Sequence, residues 1–181
     1  MNDFNKRPLA ITDIETTGLD AQRHEIIDLG LLLVEQANFK ILDRFEVKIK
    51  PTNLKEAAKK ALTSVGYSDK EWKKAWELEQ AIQIFSEKTK GAVFLSQNSY
   101  FEWSFLEQAF RRTGVEDLMD YHRLDLFSIA WAVRKNFPGM SKFSLTSLGK
   151  YFSLPTEPLP HRASSGAKQQ LAVLRCLTKL S

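Results

Sequence analysis

Between Glu25 and Val34 the chain runs through Ile26, Ile27, Leu29, Leu31, Leu32 and Leu33 with almost no polar interruption. A run of this kind reads as a strand buried on both faces, which requires structure packed on either side of its sheet. Leu9, Ala10, Ile11 and Ile14 read as a second buried strand, with Thr17-Gly18 as its turn outward. From Phe39 to Lys50, Ile41, Phe45, Val47 and Ile49 fall mostly at period two with charges between them, the pattern of a half-exposed strand. Gln36-Ala37-Asn38 suits a hairpin, so the first three strands read as an antiparallel meander.

The pattern then turns helical from Leu54 to Lys90. Ala57, Ala58, Ala61 and Leu62 come first, then Trp72 and Trp76, then Leu78, Ile82 and Phe85, with Gly66 as a break. Gly91 to Ser96 is a short apolar strand, and a helix carrying Phe101, Phe105, Leu106 and Phe110 follows Asn98. His122 to Leu126 reads as a fifth strand, with a helix through Ile129, Trp131, Ala132 and Val133 that ends at Pro138-Gly139. A short helix over Phe143–Phe152 closes near Pro155. A proline-rich loop (Pro155, Pro158, Pro160) then leads to His161, and a last helix spans Ala163 to Leu180 with Ala167, Leu171, Leu174 and Leu177 on one stripe. Three antiparallel strands followed by strand–helix units predict an α/β fold: a mixed sheet of about five strands flanked by helices, in one domain over residues 1–181.

Composition narrows the setting. There is no apolar run long enough for a membrane span and no signal-peptide pattern, and the lone Cys176 excludes an internal disulfide and a cysteine zinc site. A cytoplasmic protein with no membrane partner is expected. The net charge of +4, from 26 basic and 22 acidic residues, permits nucleic-acid binding without indicating it. Lys55, Lys59, Lys60, Lys70, Lys73 and Lys74 read as a solvated face.

The chemistry begins at Asp13-Ile14-Glu15. Two residues apart on a strand, the two acids leave the same face roughly 7 Å apart. Carboxylates this close repel each other, and a hard divalent cation between them relieves the repulsion. Ligands of open α/β sheets sit at the carboxyl ends of central strands, where this pair falls.

The stretch Asp13-Ile14-Glu15-Thr16-Thr17-Gly18-Leu19 resembles the first motif of the DEDD 3′–5′ exonucleases, the superfamily of the polymerase III epsilon proofreading subunit, ribonuclease T and oligoribonuclease. The resemblance runs from Leu9 to about Leu177 and implies a ribonuclease H-like fold. It also implies two catalytic ions, Mg²⁺ or Mn²⁺, held by Asp13 and Glu15, and a terminal nucleotide lined by Thr16, Gly18, Leu19 and Phe101. The second motif is matched by Asn98, Phe101, Phe105 and Leu106, but Glu102 stands where the family has Asp, an atypical third ligand with one extra methylene. Asn98 belongs with the substrate-binding residues. The third motif is matched by His161, Ala163 and Ala167. His161 is the implied general base, since imidazole titrates near neutrality and can accept a proton from the attacking water. Arg162 stands where another branch has Tyr, which points to the histidine-using DEDDh type.

Gly166 occupies the position of the fourth family acid. It leaves one ion weakly held, with Ser164, Ser165 and Gln170 as poor substitutes and Asp28 or Asp125 as acids that could approach in space. If the position is simply vacant, Gly166→Asp restores a ligand. The implied activity is metal-dependent removal of nucleotides from single-stranded DNA or RNA 3′ ends, impaired by the two departures. The competing reading is an inactive relative that binds nucleic-acid ends or a protein. Partners consistent with the resemblance are a second copy of the chain, a polymerase or another nuclease. His24 and His122 read as bystanders.

Overall fold

The computed structural model describes residues 3–180. Five strands form one sheet: β1 (Leu9–Thr16), β2 (Ile26–Val34), β3 (Ile41–Lys48), β4 (Val93–Ser96) and β5 (Arg123–Asp125), in the order β3-β2-β1-β4-β5. β1 and β2 pair antiparallel, as do β2 and β3, whereas β4 joins β1 and β5 joins β4 in parallel. Six helices flank the sheet: α1 (Lys59–Val65), α2 (Leu78–Lys88), α3 (Ser99–Thr113), α4 (Leu126–Ala132), α5 (Leu145–Tyr151) and α6 (Ala163–Leu177). This is the ribonuclease H-like mixed sheet that the sequence predicts.

Side-chain alternation sends β1 and β2 into two cores. Ala10, Ile14, Leu29 and Leu31 pack with Ile82, Phe85, Phe105 and Leu106 of α2 and α3. Leu9, Ile11, Leu32 and Val34 pack on the other face with Leu126, Leu148, Ala167, Leu171 and Leu174 of α4, α5 and α6. The continuous apolar run of β2 is therefore covered on both sides, while β3 at the sheet edge alternates exposure as its charges require. Each fully buried Leu or Phe contributes about 1.5–3 kcal/mol to holding these layers.

One helical expectation fails. Residues 69–74 are turns and Trp76 an isolated bridge, not helix, because both tryptophans are engaged by the sheet. Trp72 is buried and its indole N–H donates to Ile27 O at 2.9 Å, and Trp76 donates its amide to Lys48 O at 2.9 Å and bridges to Ile49. Their spacing imitates a helical stripe, but each anchors a loop to a strand. The fourth helix also ends earlier than expected, at Ala132, with a 3₁₀ turn over Arg134–Asn136 before Pro138. Cys176 is partly exposed on α6. Among the described residues no helix is long and apolar enough to cross a membrane.

Candidate active site

Asp13 and Glu15 project from the carboxyl end of β1 toward the α6 side, flanking buried Ile14. Across the antiparallel pair, Asp13 faces Gly30 and Glu15 faces Asp28. Gly30 is needed here: a Cβ at that position would collide with the backbone of Ala163 and Ser164. Its absence lets the first turn of α6 lie directly on β2, which carries Gly166 and Gln170 to Asp13. Gln170 is fully buried, and its Nε2 donates to Asp13 Oδ1 at 2.9 Å and to Thr12 O at 3.3 Å. Position 166 is not vacant space: a Cβ there would collide with the Asp13 carboxylate, which leans into the room that an alanine or aspartate would need.

Glu102 reaches the same corner from the first turn of α3. It is buried, with Ser96 Oγ donating to Oε2 at 3.3 Å. Asp125 does not serve as a substitute ligand, because its two oxygens are committed to helix starts. Oδ1 accepts from the Ser99 amide at 3.1 Å and Oδ2 from the Ser128 amide at 3.0 Å. That bond explains how Asn98, in a left-handed conformation with φ of 61°, opens α3 without using its own side chain as a cap.

His161 arrives on the proline-rich loop. Its amide donates to Ser64 O at 3.1 Å, and the neighbouring Arg162 guanidinium bonds Val65 O and lies 5.6 Å from the Trp72 ring. His161 Nδ1 stands 3.2 Å from Glu157 Oε2. Ligand atoms of Glu15, Glu157 and His161 all fall within 4.8 Å of one another. Glu157 is absent from the residues that the sequence motifs select. The available signal was plain: it is the sole acid between Tyr151 and Arg162, one helical turn's length before the histidine.

Burial and crowding show in the titration of these acids. Asp13 is raised well above the usual carboxylate range by burial and by the charges of Glu102, Glu15 and Glu157, against which the Gln170 amide acts. Burial raises Glu15 to about 7, helped by Glu157 and Asp28 and opposed by Arg162. Burial raises Glu102 to about 8, with Asp125 adding and Ser96 subtracting. Burial and Glu46 raise Asp28 to about 6, while Arg162, the Ala163 amide and Lys48 draw it back. Asp28 is only 1% exposed, yet neither of its oxygens closes a full hydrogen bond, and Gln170 Oε1 is likewise buried and unpaired. Acids packed this closely with so little compensating charge fit the donor set of a hard divalent cation.

Beside the carboxylates lies a cavity of about 440 Å³ lined by Glu15, Thr16, Gly18, Leu19, Lys60 and Phe101 among others. Of the five residues expected to contact a terminal nucleotide, Thr16, Gly18, Leu19 and Phe101 share it; Asn98 is exposed at the start of α3, outside this lining. Thr16 Oγ donates to Gly18 O at 2.6 Å, and the His24 ring sits where a Gly18 side chain would go. His24 thus shapes the loop, and His122 pairs with Asp120 at 2.6 Å away from the acids. Phe105 is core, whereas Leu19 is 85% exposed at the cavity mouth.

Residues 10–174 match the ribonuclease T family model, described as exonuclease. The chain is 29% identical over 171 residues to the PolC-type DNA polymerase III of Caldanaerobacter subterraneus subsp. tengcongensis, covering 94% of this chain but 12% of that protein. The chain therefore spans about an eighth of that relative's length. Among solved structures, E. coli Exonuclease I in complex with a dA16 oligonucleotide superposes with a TM-score of 0.80 at 18% identity, over 96% of this chain and 41% of that one. The zinc-bound form of the E. coli Exonuclease I–single-stranded DNA complex gives 0.79 at 15% identity, over 96% of this chain and 41% of that one. At these identities the likeness is one of fold.

Proposed function

Because the chain belongs to the ribonuclease T exonuclease family, within the DEDD-type 3′–5′ exonucleases, we propose that it is a Mg²⁺- or Mn²⁺-dependent enzyme that removes nucleotides from single-stranded 3′ ends at the carboxyl end of β1. The observation that carries this reading is the gathering of Asp13, Glu15, Glu102 and His161 around the end of β1, where Glu15 also lines a nucleotide-sized cavity. Asp13 feels the charges of both Glu102 and Glu15, so it stands between two sets of ligands and would hold both ions. The ions would neutralise the phosphate oxygens and lower the pKa of the attacking water.

The chain's own groups do the rest. The cavity lined by Thr16, Gly18, Leu19 and Phe101 takes the terminal nucleoside, with exposed Leu19 and half-buried Phe101 presenting apolar faces to the base. Lys60, at the same cavity, is placed to meet a phosphate. His161 Nδ1 stands 3.2 Å from a Glu157 oxygen, which leaves Nε2 as the nitrogen turned to take a proton from water. Exonuclease I of E. coli binds DNA oligonucleotides on this fold, which supports single-stranded DNA as the first substrate to test.

The test is a 5′-labelled single-stranded oligonucleotide, DNA or RNA, incubated with Mn²⁺, Mg²⁺ or EDTA. A ladder shortened from the 3′ end, present with either metal and abolished by EDTA, is the expected result. Full-length substrate under every condition supports the second reading, an inactive relative that binds ends or a protein, which the absent acid at Gly166 favours.

A further inference from the structure

We propose that Glu157 is a metal ligand of this site, delivering from the proline-rich loop the carboxylate that position 166 lacks. The inference rests on the metal-dependent reading above and adds a residue that the family motifs do not contain. The first argument is placement. The Glu15 and Glu157 carboxylates each offer an oxygen, and these two lie within 4.8 Å of one another. Oxygen ligands at about 2.1–2.6 Å from a hard cation stand at most about 4.2–5.2 Å apart, so these atoms already have the spacing such an ion demands.

The second argument is the state of position 166. Asp13 occupies the room where a side chain would grow, held there by Gln170. An acid supplied from elsewhere avoids displacing Asp13, whereas one at 166 requires it. Three residues could supply it. Asp125 is committed to two helix starts. Asp28 lies against Glu15 beneath Arg162 and the Ala163 amide, and its charge acts on Glu15 but not on Asp13. Glu157 brings a carboxylate oxygen within 4.8 Å of a Glu15 oxygen at the end of β1.

A third observation is Asp28, almost fully buried beside Glu15 with neither oxygen closing a full hydrogen bond and only Arg162 and Lys48 as nearby positive charges. Among the described residues Glu157 has no Lys or Arg partner, only the ring of His161 at 3.2 Å. Pro155 and Pro158 on either side restrict the backbone that presents it.

A residue that merely oriented His161 would leave metal affinity alone, and this separates the two roles. Mn²⁺ binding to the full chain is measured by loss of the free-ion electron paramagnetic resonance signal and by calorimetry, for the parent, Glu157→Gln, Glu157→Ala and a control, Glu79→Gln, at an exposed position of α2. Both Glu157 variants should bind Mn²⁺ about 10–100-fold more weakly, or lose one ion, while Glu79→Gln matches the parent. Melting curves without metal confirm that each variant is folded, and the Mn²⁺-induced rise in Tm should shrink in parallel. Unchanged affinity and stoichiometry in both folded Glu157 variants overturns this assignment and leaves the metal-dependent reading intact. A parent that binds no Mn²⁺ overturns both.

Discussion

At the end of β1, Asp13 and Glu15 are fixed by antiparallel pairing with Gly30 and Asp28 of β2, whereas Glu157 and His161 ride on a loop tied down by the His161 amide on Ser64 and the Arg162 guanidinium on Val65. The strand half cannot adjust: a shift of one residue in register would turn both acids to the opposite face. Gly166 belongs with this rigid half, because α6 is pressed onto Gly30 and its position is set by backbone contact. The loop half is bound to no register, so a side chain there can change identity or reach without repacking either core. An acid lost from the rigid half is most easily recovered from the loop half.

The largest expected effects come from the two halves separately. Asp13→Ala should lower the exonuclease rate about 10³-fold or more and abolish tight Mn²⁺ binding, because several kcal/mol of charge stabilisation depend on it. His161→Ala should lower the rate about 10²–10⁴-fold, with most Mn²⁺ affinity retained, because proton transfer and not ion binding is its main task. Rates and metal affinities measured side by side check this. If His161→Ala stays within about twofold of the parent rate, the loop half does not supply the base.

Gly166→Asp comes next and tests the rigid half. On the motif alone it restores a ligand, but the structure requires Asp13 to be displaced first. The expected outcome is a lower Tm and no additional bound ion, read by melting and by Mn²⁺ stoichiometry. A gain of one ion together with a faster rate would show that Asp13 yields its place freely.

The smallest effect is on stability. Glu15 at about 7, Glu102 at about 8 and Asp28 at about 6 all bind protons more tightly in the folded protein than at their ordinary values of 4.5 and 3.8. Folding therefore favours the protonated acids, and this contribution is fully present below the ordinary values and lost as pH rises through about 6 to 8. The metal-free Tm should fall over that interval, by about 2–4 °C for each kcal/mol involved, and the rise in Tm given by Mn²⁺ should grow over the same interval. A metal-free Tm that climbs from about pH 5 to about pH 9 contradicts the crowding of these acids.

The fold was readable where periodicity answers to a single cause. β2 declares its double burial, and the Ala167–Leu171–Leu174 stripe declares α6. Trp72 and Trp76 mislead because aromatic spacing does not distinguish a helix face from two separate loop anchors. In the proposed site, Asp13, Glu15, Glu102 and His161 are the residues that motif spacing selects. The occupation of the Gly166 position was not, since it depends on which way the Asp13 side chain leans beneath a helix 150 residues later. Glu157 escaped for the same reason: a lone acid in a loop acquires meaning only when the loop folds back onto β1.

The central claim, that strand and loop halves form one metal and nucleotide site, is tested most directly by a crystal structure soaked with Mn²⁺ and a nucleoside 5′-monophosphate. The account predicts anomalous density at Asp13 and Glu15, with the base in the cavity between Leu19 and Phe101 and His161 facing the phosphate. Manganese bound away from Asp13, or a nucleotide seated outside that cavity, would contradict it.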